Sequence, residues 1–290
     1  MMTDNFEDSN TIQNLFSLLD DESIEVQKAL KKEILKHSLT FIFSNHEQLT
    51  SVSPERQKLL RKLLNELHSE LVYQAWKDLV QEGLEDIDLE KAALLITYWV
   101  DPEVNLKKIV RHIDAMALEI GERIPLSGHP LSFLDHINYY FFKKYGFQGN
   151  STDYYNPNNL YIHKVLESKQ GIPISLSILY ILIARRLNLP IYGVPMPAHF
   201  ILKFDNGEDE IFFDPFYRGK IYSRRECEAY LNHVNATVID KILNGCSNYE
   251  IIQRVLRNLH LMYSSYEEDQ QKVNELSEYL EVLRLHYESD

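Results

Sequence analysis

Apolar residues recur at helical spacing through roughly the first 120 positions of the chain. They fall in four groups: Ile24, Ala29, Leu30, Ile34 and Leu35; Leu59, Leu60, Leu63, Leu64, Leu67 and Leu71; Leu89, Ala92, Ala93 and Ile96; and Leu106, Ile109, Val110, Ile113, Met116 and Ala117. Spacings of three and four put each group on one face of a helix, so each predicts an amphipathic helix. Ser53-Pro54-Glu55 supplies a cap residue with proline at the first helical position, and Asp101-Pro102 interrupts the pattern. The expectation is an all-helical bundle over residues 1–125.

At Pro125 and Gly128 the pattern stops, and aromatic and turn-forming residues take over, which places a domain boundary there. A helix is expected over Leu131 to Lys144, ended by Gly146. A loop rich in Asn, Tyr and Pro then runs from Gln148 to Leu160, followed by a short helix to Ser168. From Ser175 to Leu187 the residues are apolar almost all round, which predicts a helix buried on most sides. Ile191 to Val194, Phe200 to Phe204 and Glu210 to Phe213 read as strands, with a hairpin turn at Asp205-Asn206-Gly207-Glu208-Asp209. Ser223-Arg224-Arg225-Glu226 is a capping box opening a helix to about Val234, and two further helices are expected over Ile251 to Tyr263 and Val273 to Leu285. The predicted class is α+β: a helical region over 1–125, a core over 126–246 with a central helix on a small antiparallel sheet, and a helical pair over 247–290.

Composition removes several functional classes. The chain has 290 residues, with 30 Lys+Arg against 43 Asp+Glu and a formal net charge of −13. That excess opposes nonspecific attraction to nucleic acid and to anionic membranes, and no basic run offsets it. No apolar stretch reaches the length of a membrane span. The beginning, Met1-Met2-Thr3-Asp4-Asn5, is acidic and polar where a secretory signal would be basic and then apolar, so a cytoplasmic location is expected. Two cysteines, Cys227 and Cys246, cannot form a four-thiolate zinc site or a disulfide framework and read as reduced thiols. No cofactor or metal is expected; a protein or peptide partner is.

Ser175, His199 and Asp214 follow one another as a nucleophile, base and orienting group would. Ser175 lies at the start of the buried helix, where free backbone N–H groups and the helix dipole favour an anion. His199 heads the second strand and Asp214 ends the third, so pairing of the strands would bring the two together. Ser175 serves equally well as a helix cap after Pro173, and Asp214-Pro215 as a turn opening. In the preceding loop, Asn158 or Asn159 could donate to an oxyanion, and the loop around Tyr155 could hold an extended peptide, or it could simply pack and turn.

The fragments Tyr145-Gly146-Phe147-Gln148-Gly149-Asn150, Tyr154-Tyr155-Asn156-Pro157-Asn158, Gly171-Ile172-Pro173-Ile174-Ser175-Leu176-Ser177, Ala184-Arg185-Arg186-Leu187, Pro197-Ala198-His199-Phe200 and Phe213-Asp214-Pro215-Phe216 together resemble the transglutaminase-like core of the SirB1 family. The resemblance implies a papain-like α+β core in which a helix N-terminus presents a nucleophile to a His and an Asp on adjacent strands. Catalytic members of the wider superfamily use cysteine, and on this resemblance Ser175 stands at the cysteine position, with His199 and Asp214 in the other roles. Ala198 stands where SirB1-like proteins usually have glycine. Ile251 to Leu259 resembles the start of the tetratricopeptide-like region that many such proteins carry. Serine in place of thiolate implies a non-catalytic or weakly catalytic interaction or regulatory module; the alternative is a serine-dependent acyl-transfer enzyme of amidase, peptidase or transamidase type.

Overall fold

A computed structural model of the chain describes residues 15–49, 53–123, 129–265 and 269–288. The expected boundary at Pro125 to Gly128 lies outside the described residues. Two compact units emerge, one formed by Met1–Lys108 with Glu281–Asp290, the other by Ile109–Leu280.

The first unit is helical. Helices α1 (Ile24–Lys36), α2 (Ser38–Leu49), α3 (Pro54–Glu82) and α4 (Leu89–Val100) follow one another, with α3 opened by the Ser53 cap and Pro54 as expected. The leucine stripe of α3, from Leu60 to Leu71, continues through Ala75, Trp76 and Leu79 and is buried along its length. The chain end belongs to this unit: Tyr287 Oη donates to the Gly83 carbonyl at 2.7 Å, satisfying a group left exposed where α3 stops.

The second unit begins within α5 (Leu106–Gly121) and continues through α6 (Pro130–Asn138), which runs directly into a π-helical turn, Tyr139–Lys144. Next come β1 (Gln148–Gly149), a 3-10 turn (Pro157–Asn159), α7 (Ile162–Ser168), β2 (Gln170–Gly171) and α8 (Pro173–Arg186). Strands β3 (Ile191–Val194), β4 (Ile201–Asp205), β5 (Glu210–Asp214) and β6 (Lys220–Tyr222) follow, and then α9 (Arg224–His233), α10 (Ile239–Leu243), α11 (Asn248–Tyr263) and α12 (Gln270–Tyr287), whose residues from Glu281 onward belong to the first unit. The order β3-β4-β5-β6 is an antiparallel meander, while β1 and β2 form a separate parallel pair.

The central strands β4 and β5 are covered on both faces, which explains why they read as continuous apolar runs without alternation. On one face Phe213 of β5 meets Tyr180 of α8, ring centroids 5.1 Å apart. On the other, Val194, Ile201 and Phe212 pack with Cys227 and Leu231 of α9. Side chains alternate along a strand, so Asp214, next to Phe213, projects towards the α9 side. The molecule is mostly helical with small sheets, consistent with the α+β expectation. Sequence periodicity did not reveal β6, the β1–β2 pair or α10, each of two to five residues with no room for a period, nor the twelve-residue helix α2.

Candidate functional site

Ser175 is the third residue of α8, whose first is Pro173. Its hydroxyl is fully buried. Oγ accepts from the Ile172 N–H at 3.1 Å, the backward bond by which a third helical residue satisfies the N-terminal backbone. The same oxygen lies 2.5 Å from the Asn159 carbonyl and 3.1 Å from that of Ile172, both acceptors for its single proton. Every partner of the hydroxyl among the described residues is thus backbone, and His199 is not one of them.

His199 and Asp214 do meet. Nε2 of His199 lies 2.6 Å from Oδ2 of Asp214, leaving Nδ1 as the nitrogen for other work. The Asp214 carboxylate is fully buried, and its second oxygen accepts the backbone N–H groups of Phe216 and Tyr217 at 2.9 and 3.3 Å. A buried carboxylate needs such donors, and these fix the turn after β5 as well as the imidazole. The rings of Phe216 and Tyr217 stand 6.2 and 5.9 Å from that of His199.

A run of close contacts leads from the serine towards the histidine. Gly171 of β2 has room for no side chain, because a Cβ there would lie 2.7 Å from Ser175 Oγ. Its partner in the parallel pair, Gly149, is pressed upon by Phe216, whose ring would lie 2.5 Å from a Cβ. Phe216 therefore touches the β1–β2 pair on one side and borders His199 on the other.

The short segment carrying His199 is held from two helices. The Met196 carbonyl accepts from His199 N–H at 3.1 Å and from Arg254 Nη1 of α11 at 3.0 Å, and the Pro197 carbonyl accepts from Tyr230 Oη of α9 at 2.7 Å. Arg254 also lies over the Phe200 ring, 5.6 Å from its centroid, and burial pushes its pKa down. Ala198 has φ of 56°, a conformation glycine adopts without the Cβ clash.

The loop residues divide. Asn159 is buried, and its amide nitrogen donates to the Asp153 and Tyr154 carbonyls at 2.6 and 3.2 Å while its oxygen accepts from Asn150 at 2.9 Å. Its side chain thus shapes the loop, and its carbonyl holds Ser175. Asn158 is exposed, and Tyr155 is 69% exposed with its ring edge-on to Tyr154.

Spacing along the sequence puts Cys227 far from the three residues, but folding brings it to the wall of a cavity of about 410 Å³ that His199 also lines. Burial, then Glu226, raise the pKa of this thiol to about 11. It is accordingly a protonated thiol at neutral pH, with none of the activation that a reactive cysteine requires. Among the described residues no group of three or more His, Cys, Asp or Glu side chains could hold a metal ion, and no helix is long and apolar enough to cross a membrane.

A buried helix with a small hydroxyl residue in its first turn, set in the same α+β unit as a His–Asp pair at the end of an antiparallel sheet, defines the class of domain. Residues 107–257 match the family described as transglutaminase-like superfamily, and the chain belongs to that superfamily. It is 32% identical over 206 residues to the UPF0162 protein of Xylella fastidiosa (strain 9a5c), an alignment covering 68% of this chain and 72% of that protein. It is 30% identical over 256 residues to F-box only protein 21 of Homo sapiens, covering 75% of this chain but 40% of that protein. The mouse F-box only protein 21 is 40% identical over 136 residues, 43% of this chain and 21% of that one. No solved structure matches the chain.

Proposed function

We propose that this chain is a cytoplasmic protein-interaction or regulatory module of SirB1-like type, built on a transglutaminase-like core whose nucleophile position has become structural. The observation that carries this reading is the engagement of Ser175: its hydroxyl is fully buried and bonded to the Asn159 carbonyl at 2.5 Å. A nucleophile must reach both substrate and base, and this hydroxyl is turned towards backbone. The F-box only protein 21 relatives support a role in protein interaction. In this reading residues 1–125 and the tetratricopeptide-like pair over 247–290 flank the core at 126–246, and the exposed loop with Tyr155 and Asn158 serves contacts with a partner.

A second reading is favoured by one observation, the His199–Asp214 pair at 2.6 Å, which is the base and orienting group of a serine-dependent acyl-transfer enzyme. The two separate on reaction with an activated acyl ester and a fluorophosphonate, followed by intact mass on wild type, Ser175→Ala and Ser175→Cys. The module reading expects no covalent adduct at position 175 in the wild-type protein. An adduct that vanishes in Ser175→Ala, together with turnover lost in His199→Ala, overturns it in favour of the enzyme.

A further inference from the structure

The cavity beside His199 lies on the α9 side of the sheet. Its volume of about 410 Å³ falls within the range of small-ligand sites. Three tyrosines line it, Tyr217, Tyr222 and Tyr230, together with His199 and the carboxylate-bearing Glu226, and the lining includes no lysine or arginine. Tyr217 is 58% exposed and Tyr230 39% exposed, so two of the rings stand at the mouth. Tyr230 spans from α9 to the His199 segment through its bond to the Pro197 carbonyl, which makes its ring a fixed wall.

Aromatic rings carry negative charge on their faces, and several arranged around a space attract an ammonium group, the more so when a carboxylate is near. We infer that this cavity is a binding site for a cationic side chain of a partner polypeptide, an alkylammonium group of the lysine or methylated-lysine kind. The inference rests on the interaction-module reading and names the chemistry of the partner.

Charge around the cavity agrees. Burial raises the pKa of the Tyr222 phenol, and the Asp214 carboxylate raises it further. The Cys227 thiol is raised by burial and then by Glu226 and Glu210, with Glu228 adding to this and Arg224 opposing it. In both groups burial acts first, and carboxylates are the leading charged neighbours after it. One cation already uses this surface: Lys220 Nζ lies 4.8 Å from the centroid of the Tyr222 ring. That contact shows the ring can hold an ammonium and leaves Tyr217 and Tyr230 for the guest.

The test is a titration of the full chain, followed by the ring resonances of the tyrosines, with three probes that share a four-carbon side-chain stem: Nα-acetyl-lysine methylamide, its Nε-trimethyl form and Nα-acetyl-norleucine methylamide. The lysine probes are expected to bind at least about tenfold more tightly than norleucine and to shift Tyr217 and Tyr230. Glu226→Gln should weaken the lysine probes about three- to tenfold and leave norleucine unchanged. Glutamine keeps the capping bond to the Ser223 N–H, so the start of α9 is preserved. Equal binding of lysine and norleucine, or no shift at these tyrosines, overturns the inference. Covalent labelling at Ser175 with retained lysine binding removes the module reading and keeps the site as a substrate subsite. No labelling and no lysine preference leaves the module reading and removes this one.

Discussion

Ser175 and Asn159, sixteen residues apart, are joined by a hydroxyl-to-carbonyl hydrogen bond of 2.5 Å in the interior of the second unit. The bond fastens the first turn of α8 to the end of the Asn-rich loop and makes the hydroxyl part of the scaffold. Ser175→Ala leaves a buried carbonyl and the Ile172 N–H each short of a partner, at a cost of about 1–3 kcal/mol. Urea denaturation of wild type and variant measures it; an unchanged midpoint contradicts the structural role assigned to this serine.

Backbone conformation at Ala198 gives a stabilising substitution beside the same site. With φ of 56°, the Cβ costs roughly 1–2 kcal/mol, and glycine gives back part of this through its freer unfolded state. Ala198→Gly should therefore raise stability by roughly 0.5–1 kcal/mol. A lowered midpoint in denaturant would mean that the methyl group packs usefully against the cavity it lines.

Thiol reactivity should separate the two cysteines. Cys227 is buried and its pKa is raised to about 11, whereas Cys246 is partly exposed. Alkylation with iodoacetamide near pH 8, read by peptide mass, should mark Cys246 first. A folded pKa above the ordinary value of 9.0 means that the Cys227 contribution to stability is intact below pH 9 and is lost as pH rises through about 11. Labelling of Cys227 should rise over that same window; rapid modification at pH 8 would contradict the burial.

Arg254 ties α11 to the His199 segment. Arg254→Met removes the bond to the Met196 carbonyl and leaves the His199 N–H as the remaining donor to that oxygen. Amide hydrogen exchange at residues 196–200 should accelerate about tenfold, with a smaller effect from Tyr230→Phe. Exchange unchanged in both variants would show that the turn holds itself.

Acid stability has an identifiable contributor at the β4–β5 hairpin. The buried Lys203 ammonium, 2.9 Å from Asp205, together with the Gly207 N–H, holds the Asp205 carboxyl below its ordinary 3.8. Because the folded pKa is depressed, the stabilisation is present above about pH 4 and disappears as pH falls through the folded value. Asp205→Asn should be less stable than wild type at pH 6, and the gap should close towards pH 2 in urea titrations.

The amino-acid pattern by itself determined α1, α3 and α4 of the first unit, though not α2 (Ser38–Leu49), together with the buried helix α8, the strands β3, β4 and β5, and the caps at Ser53 and Ser223. Each follows from local spacing and from side chains that bond to backbone a few residues away, so no distant contact is needed to read it. It also set Asp214 at the end of β5 and His199 just ahead of β4, the strand paired with it. Tertiary structure alone decided the rest. The two-residue strands β1 and β2 exist through their mutual pairing, and that pairing requires Gly149 and Gly171, against which Phe216 and Ser175 lie. The direction of the Ser175 hydroxyl was set by a carbonyl contributed from another loop, which no pattern around Gly171 to Ser177 encodes. Asp214 was carried to the α9 side by strand alternation, and with it the cavity that joins His199 to Cys227 and three tyrosines. Such sites depend on residues distant in sequence meeting in space, and their chemistry is fixed only when burial has removed the water that would otherwise satisfy them.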